Sequence, residues 1–400
     1  MKRIFTVPQG TRDILFEECD AIHRTERRLC ALFEQNGFRE VRTPLVEYYE
    51  CFAANHRKLD ETQMYKFTDH TGRLLVLRPD CTVPIARMAA GRLRDFPKPL
   101  RLYYSQSVMR LNRRYTGIYD ECNQTGIELL GSAGKRSDLE VLALAAQILE
   151  SSGEFMLEIG HIGIFERLVD ELGVDESTAA QMRVCIEQKN NAALSDLLNG
   201  LEDRPAAQWL LRLPVMFGGS EVLESARAMS VFEGIEPILR YLSGLYHDLC
   251  ELGLEKRILL DLGMVSSVNY YTGIVFRGYL QDMNCEVLSG GRYDHLTGEY
   301  GEQMPAIGFA VNVDNLAACG VSGGGIGKTE ALVYAENGCE AAALRFRRER
   351  CADCVCEFGD FDNVGQAEEY ARRKGISRLY VVGETVKTVE LSSNGKEASR

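Results

Sequence analysis

The sequence predicts an α+β protein: a sheet domain broken by a helical insertion, followed by a small α/β module. Three observations predict it. Strand-like runs cluster at 38–130 and again at 257–312. The stretch between them, about 166–250, is mostly helical in pattern, with stops at Gly173, Gly200 and Gly253. After the glycine-rich VSGGGIGKTE, strand and helix patterns alternate, which favours a compact α/β unit.

The elements follow in order. EECDAIHRTERRLCALFEQN (17–36) places Ile22, Leu29, Leu32 and Phe33 on one helical face, with Gly37 just past the end. FREVRTPLVEYYECF reads as a strand that meets Pro44. LLVLRPDCTVPIARMAAGRL reads as strand, turn and helix. LRLYYSQSVMRL and NQTGIELLG read as two strands joined by the polar loop NRRYTGIYDEC. Ser137 and Glu140 form a capping-box pattern before LEVLALAAQIL. Strands resume at RILLDLG and run through SVNYYTGIVFRGY, NCEVLSGGRYD and AIGFAVNV. The tail offers ALVYAE, a helix near 338–350, CVCEF, a helix near 364–374, RLYVVG and a polar end. The expected divisions are a main domain over 1–318, a linker over 319–329 and a small domain over 330–400.

Composition narrows the function. The 400 residues are 45% hydrophobic and 26% charged, with a net charge of −12. That balance argues against a large nucleic-acid footprint, because neutralising phosphates supplies most of such affinity. Residues 330–400 hold 13 acidic and 11 basic side chains, so this module carries no basic excess either. The start is broken by Pro8 and Gly10 and does not read as a secretory signal. No stretch approaches the ~20 apolar residues of a membrane span. Thirteen cysteines, an odd number, read as reduced thiols of a cytosolic protein rather than a disulfide framework.

Two motifs are weighed and set aside. SGGGIGKT has Ser322 where a phosphate-cradling loop needs glycine, and it joins two domains; it reads as a linker. CADCVC (351–356) lacks the four ligands of a structural zinc site, so no metal is assigned, and the thiols read as small packed hydrophobes.

The remaining motifs act together. VPQGTRDIL, GFREVRTPLVEYYECF, LRPDCTVPIAR, LYYSQSVMRLNRRYTGIYDECNQTGIELLG, VSSVNYYTGIVF with LSGGRYDHL, and MPAIGFAVNVDNL occur in that order. They resemble the class II aminoacyl-tRNA synthetases, histidyl-tRNA synthetase branch, over residues 1–318. The tail is similar to a shortened anticodon-binding domain. The resemblance implies a six-stranded, mainly antiparallel sheet flanked by helices, and a dimer formed around the Pro44 segment. It implies that Asp80, Thr82, Gln124 and Glu128 face a bound amino acid, and that Tyr271 and Tyr293 meet an imidazole. Positions 124, 126 and 128 share one strand face, so Gln124 and Glu128 point the same way. Glu128 or Asp80 suits an α-ammonium through a charge-assisted hydrogen bond. The bland alternative is that these polar groups merely satisfy one another.

The adenylation machinery departs from the synthetase pattern. Arg110 matches the motif 2 arginine. Ser266 and Asn315 stand at two other arginine positions. Ile118, Asp120 and Glu121 replace basic or amide residues, and Asn112 replaces a glutamate. Losing one transition-state donor costs roughly 2.7–4 kcal/mol, or about 10²–10³ in rate. The chain therefore resembles the synthetase-like regulatory subunits of ATP phosphoribosyltransferase. That resemblance implies no catalytic residues, no cofactor and no tRNA. It implies assembly with a short-form catalytic subunit, and feedback by histidine at the first step of histidine biosynthesis. The alternatives are a divergent histidyl-tRNA synthetase and a free-standing histidine sensor.

Overall fold

The computed structural model describes residues 6–53, 61–111, 119–229, 234–265, 270–281, 286–319 and 329–391. The chain divides into two compact units, Met1–Val321 and Ser322–Arg400.

The first unit opens with α1 (Phe16–Gln35), whose buried Ile22, Leu29 and Phe33 lie on one face. Gly37 ends it at φ +78°, a backbone state that glycine adopts without strain. The segment around Pro44 is not one strand. It forms β1 (Arg39–Glu40), then β2 (Val46–Tyr48), with Pro44 between them. Proline has no N–H to give a ladder, so pairing breaks there. After α2 (Glu50–Ala53) come β3 (Lys66–Thr68) and β4 (Leu74–Leu77); β2, β4 and β3 make a small antiparallel sheet.

Next come α3 (Thr82–Gly91), β5 (Leu100–Met109), β6 (Glu121–Leu130), α4 (Lys135–Glu150) and β7 (Phe155–His161). The capping box at Ser137 does not form. Helix α4 starts at Lys135, and the Ser137 hydroxyl donates to the Gly134 carbonyl at 2.8 Å. Glu140 pairs with Arg101 instead. The helical stretch is α5 (Ile162–Leu172), α6 (Glu176–Glu187), α7 (Asn191–Leu197), α8 (Pro205–Arg212), the short β8 (Phe217–Gly218), α9 (Glu221–Ala228) and α10 (Glu236–Glu251). Its ends are marked locally. Gly173 closes α5 at φ +66°, and Asp175 caps α6 by accepting from the Thr178 N–H at 2.9 Å. Trp209 is buried at its centre.

The chain returns through β9 (Ile258–Asp261), β10 (Ile274–Leu280), β11 (Glu286–Arg292), β12 (Ala306–Asn312) and α11 (Val313–Ala318). The main sheet runs β1-β5-β6-β12-β11-β10-β7-β9-β8. Its six central strands, β5 to β7 in that order, pair antiparallel throughout. Short strands extend both edges: β1 and β9 add parallel, β8 antiparallel.

The register sorts the two faces. Tyr103, Ile127, Phe309, Phe276 and Ile159 share one face and pack with Phe33 of α1 and Leu142 of α4. Part of the other face is small and polar. Gln124, Gly126 and Glu128 of β6 lie opposite Asn312, Ala310 and Gly308 of β12, with Ser289 and Gly291 of β11 alongside. The first face carries the main core; on the second, Leu100, Leu102, Tyr104, Leu130 and Ala306 pack with Ile85 and Ala89 of α3 beside the polar patch.

The second unit holds β13 (Ala331–Ala335), α12 (Glu340–Arg350), β14 (Cys356–Gly359), α13 (Val364–Lys374), β15 (Arg378–Val382) and β16 (Val386–Glu390). Its sheet runs β14-β13-β15-β16, parallel except for the last pair. The expected polar tail therefore contains a strand. VKTVE is almost wholly exposed, so its apolar–polar signal is weak. Residues 320–328, with most of the glycine-rich linker, lie outside the described residues.

Candidate functional site

Glycines at the polar patch of the main sheet set how closely its strands' side chains can lie. A Cβ on Gly126 would strike the Phe309 carbonyl and the Tyr104 hydroxyl; one on Gly308 would strike the Glu128 carboxylate. Glycine at both places lets side chains from neighbouring strands lie down across the sheet.

Glu128 is 1% exposed. One carboxylate oxygen accepts from the Thr82 hydroxyl at 2.7 Å, and the other accepts from the Tyr293 hydroxyl. Burial pushes its pKa up to about 8, against these hydrogen bonds and with help from the nearby Asp80. Asp80 precedes α3, and its Oδ1 accepts from the Val83 N–H at 3.0 Å. Its Oδ2 is buried with no hydrogen-bond partner in the described structure. Burial raises its pKa as well, while Arg110 opposes the rise. Two buried carboxyls with a spare acceptor want a cation that carries several donors.

Tyrosines wall the site. The Tyr270 ring meets Tyr271 edge-to-face at 5.0 Å between centroids, and Tyr293 at 5.7 Å. Tyr104 is buried against the same cluster. Tyr270 and Tyr271 are not on a strand: β10 begins at Ile274, beyond Gly273. Tyr270 occupies a turn ahead of the strand. The sequence assigns the imidazole contact to Tyr271 and Tyr293 and gives Tyr270 no contact of its own, although Tyr270 links the two. The doubled tyrosine was its signal.

Of the predicted residues, Asp80, Thr82, Glu128, Tyr271 and Tyr293 thus come together. Gln124 lies on the same face four residues from Glu128, about 13 Å along the strand, with Gly126 midway. It lines an adjoining cavity of about 160 Å³ together with Arg110, Asp120, Glu286, Ser289 and Asn312. Among these lining residues Arg110 is the one cation, against the two acids Asp120 and Glu286. The Arg110 Nε donates to the Pro79 carbonyl at 2.6 Å. Asn315 donates its side-chain amide to the Glu286 carbonyl at 3.1 Å. Ser266, Asn112 and Ile118 lie outside the described residues; Glu121 opens β6 and is exposed.

Two arginines not anticipated from sequence touch residues that line this cavity. Arg12 stacks over Tyr119 and pairs with Glu18; Arg277 pairs with Glu286 at 3.5 Å and Glu187 at 3.9 Å. Both already meet acids. Arg292, in the GGRYD segment, is also structural. It is buried against Asp138, which accepts from Tyr241 of α10 as well. This triad ties β11, α4 and the helical stretch together beneath the site.

A stability test follows from Glu128. Its folded pKa of about 8 lies above the ordinary 4.5, so between those values the unfolded chain releases a proton that the folded chain keeps. Stability is therefore fully present below pH 4.5 and declines as pH rises toward 8. Glu128→Gln, which keeps a hydrogen-bonding side chain of the same size, should flatten that part of the stability–pH curve in urea titrations.

Comparison with known proteins agrees with this architecture. The histidyl-tRNA synthetase family model matches residues 10–316. The ATP phosphoribosyltransferase regulatory subunit of Clostridium acetobutylicum is 35% identical over 384 residues, 94% of each chain. That of Bacillus cereus strain AH187 is 39% identical over 314 residues, 77% of this chain and 74% of the relative. A crystal structure from Bacillus halodurans, described as an ATP phosphoribosyltransferase regulatory subunit/histidyl-tRNA synthetase, superposes with a TM-score of 0.81 at 30% identity, over 92% of this chain and 97% of that one. A histidyl-tRNA synthetase from Nostoc, at 20% identity and a TM-score of 0.74 over 98% of each chain, shares the fold. The chain belongs to the ATP phosphoribosyltransferase regulatory subunit family and carries the histidyl-tRNA synthetase fold.

Proposed function

We propose that this chain is a non-catalytic regulatory subunit that supports a short-form ATP phosphoribosyltransferase catalytic subunit and confers histidine feedback at the first step of histidine biosynthesis. One observation carries the reading. The buried Asp80–Glu128 pair, with an unpartnered carboxylate oxygen, sits under a tyrosine wall beside a cavity whose charges are mostly acidic. Histidine supplies what the pair lacks: an α-ammonium for Asp80 or Glu128, and an imidazole for Tyr271 and Tyr293. Gln124 and Thr82 complete the polar contacts. A polyphosphate has little to hold it. Arg110 remains, Asn315 replaces a guanidinium, and Asp120 and Glu286 repel an anion. The acidic overall balance speaks against a tRNA partner.

Histidine then acts by binding one arrangement of the hetero-oligomer more tightly than another, a coupling of about 1–3 kcal/mol in typical cases. Self-association belongs to the same reading. Val46, Tyr48 and Phe67 are exposed on one face of the small sheet that follows Pro44, an apolar face suited to a second copy.

The test is to mix the purified chain with a short-form catalytic subunit and follow phosphoribosyl-ATP. Formation should require or rise with this chain, and fall when histidine is added. Activity indifferent to both would overturn the proposal.

A further inference from the structure

The second unit holds three thiols that the proposed function does not use. Cys351 follows the last residue of α12 and begins a four-residue turn, closed by the Cys354 N–H donating to the Cys351 carbonyl at 3.5 Å. Such a turn holds its end Cα atoms within about 7 Å. A disulfide spans Cα separations of about 4.4–6.8 Å. The Cys354 thiol donates to the Cys351 carbonyl at 3.9 Å, and the Cys351 side chain is a close electrostatic neighbour of both the Cys354 and Cys356 thiols. Cys351 and Cys356 are buried, and Cys354 is partly exposed. An open groove lined by Leu344, Arg347, Arg348 and Val355 reaches all three.

We propose that Cys351 and Cys354 form a reversible disulfide when the protein meets a hydroperoxide. The Cys354 thiolate attacks the outer peroxide oxygen. The O–O bond breaks, a sulfenic acid forms on Cys354, and the other oxygen leaves as alcohol or, from hydrogen peroxide, as water. The Cys351 sulfur then attacks the sulfenic sulfur, forming S–S and releasing water. Two thiols lose two electrons, and one peroxide gains them.

The surroundings set the character of the pair. The cluster lies at the C-terminal end of a helix, where the partial negative charge disfavours a thiolate. Burial raises the Cys354 pKa, with Arg378 opposing it, and pushes Cys356 up to about 12. Oxidation at neutral pH is therefore slow and quickens as pH rises. The reduced form gains no thiolate stabilisation, so the disulfide resists reduction once made.

Trypsin makes the test direct. No lysine or arginine separates Cys351 from Ala371, so one peptide, 351–372, carries all three thiols. The full chain is treated with hydrogen peroxide, alkylated and digested. The peptide should carry one alkyl group instead of three and weigh two hydrogens less, with fragment ions joining Cys351 to Cys354. Dithiothreitol should reverse this. Cys356→Ser should still form the bond, and Cys351→Ser should leave both remaining thiols alkylated. Three alkyl groups after oxidation of the unmodified chain, or a disulfide persisting in Cys351→Ser, would overturn the proposal.

Discussion

Glu128→Gln should weaken histidine binding about 100-fold or more and remove feedback inhibition, while the chain still assembles with its catalytic partner. Truncating one member of a buried, hydrogen-bonded charge pair costs about 2–5 kcal/mol. Glutamine keeps the size of Glu128 and can still bond Thr82 and Tyr293, so the fold should survive. What it loses is the ability to ionise opposite an α-ammonium, since Glu128 keeps its proton up to about pH 8 in the free chain. Calorimetric titration with histidine measures the loss, and an inhibition curve measures its consequence. Asp80→Asn should act the same way, since its Oδ2 is the acceptor left open. Unchanged histidine affinity in both variants would place the effector elsewhere.

The largest stability effect should come from Arg292. Its side chain is 8% exposed and that of Asp138 is 2% exposed. Arg292→Leu would strand a buried carboxylate with Tyr241 as its main remaining partner, at a cost of about 3–5 kcal/mol. A double replacement by apolar residues of similar volume should recover much of that loss, because the desolvation cost of both ions disappears with them. Thermal unfolding of the two single variants, the double variant and the parent closes the cycle. Near-additive losses would mean that the pair is not coupled as its geometry implies.

Much of this was legible in the chain. GIEL (126–129) alternates small or polar residues with large apolar ones, and the sheet uses that alternation to set Ile127 and Leu129 in the main core and Gly126 and Glu128 on the other face. The glycine stops at Gly173, Gly200 and Gly253 all sit at positive φ near helix ends. Other features had no local signal. Two-residue strands such as β1 and β8 are too short to show a period. Ser137 matches a capping box by spacing, but the helix is capped three residues earlier, at Gly134. Arg12 touches the cavity-lining Tyr119 only because the fold brings distant segments together. Arg292 and Asp138 are 154 residues apart. Their buried pairing is a tertiary fact, invisible to any window of sequence.

The central claim is that the amino-acid pocket persists where the adenylation chemistry does not. Histidine-dependent exchange of labelled pyrophosphate into ATP by the purified chain tests it most directly. The account predicts exchange at background with histidine at saturation, as verified by calorimetry on the same preparation. Exchange that rises with histidine, accompanied by histidyl-adenylate, would contradict it.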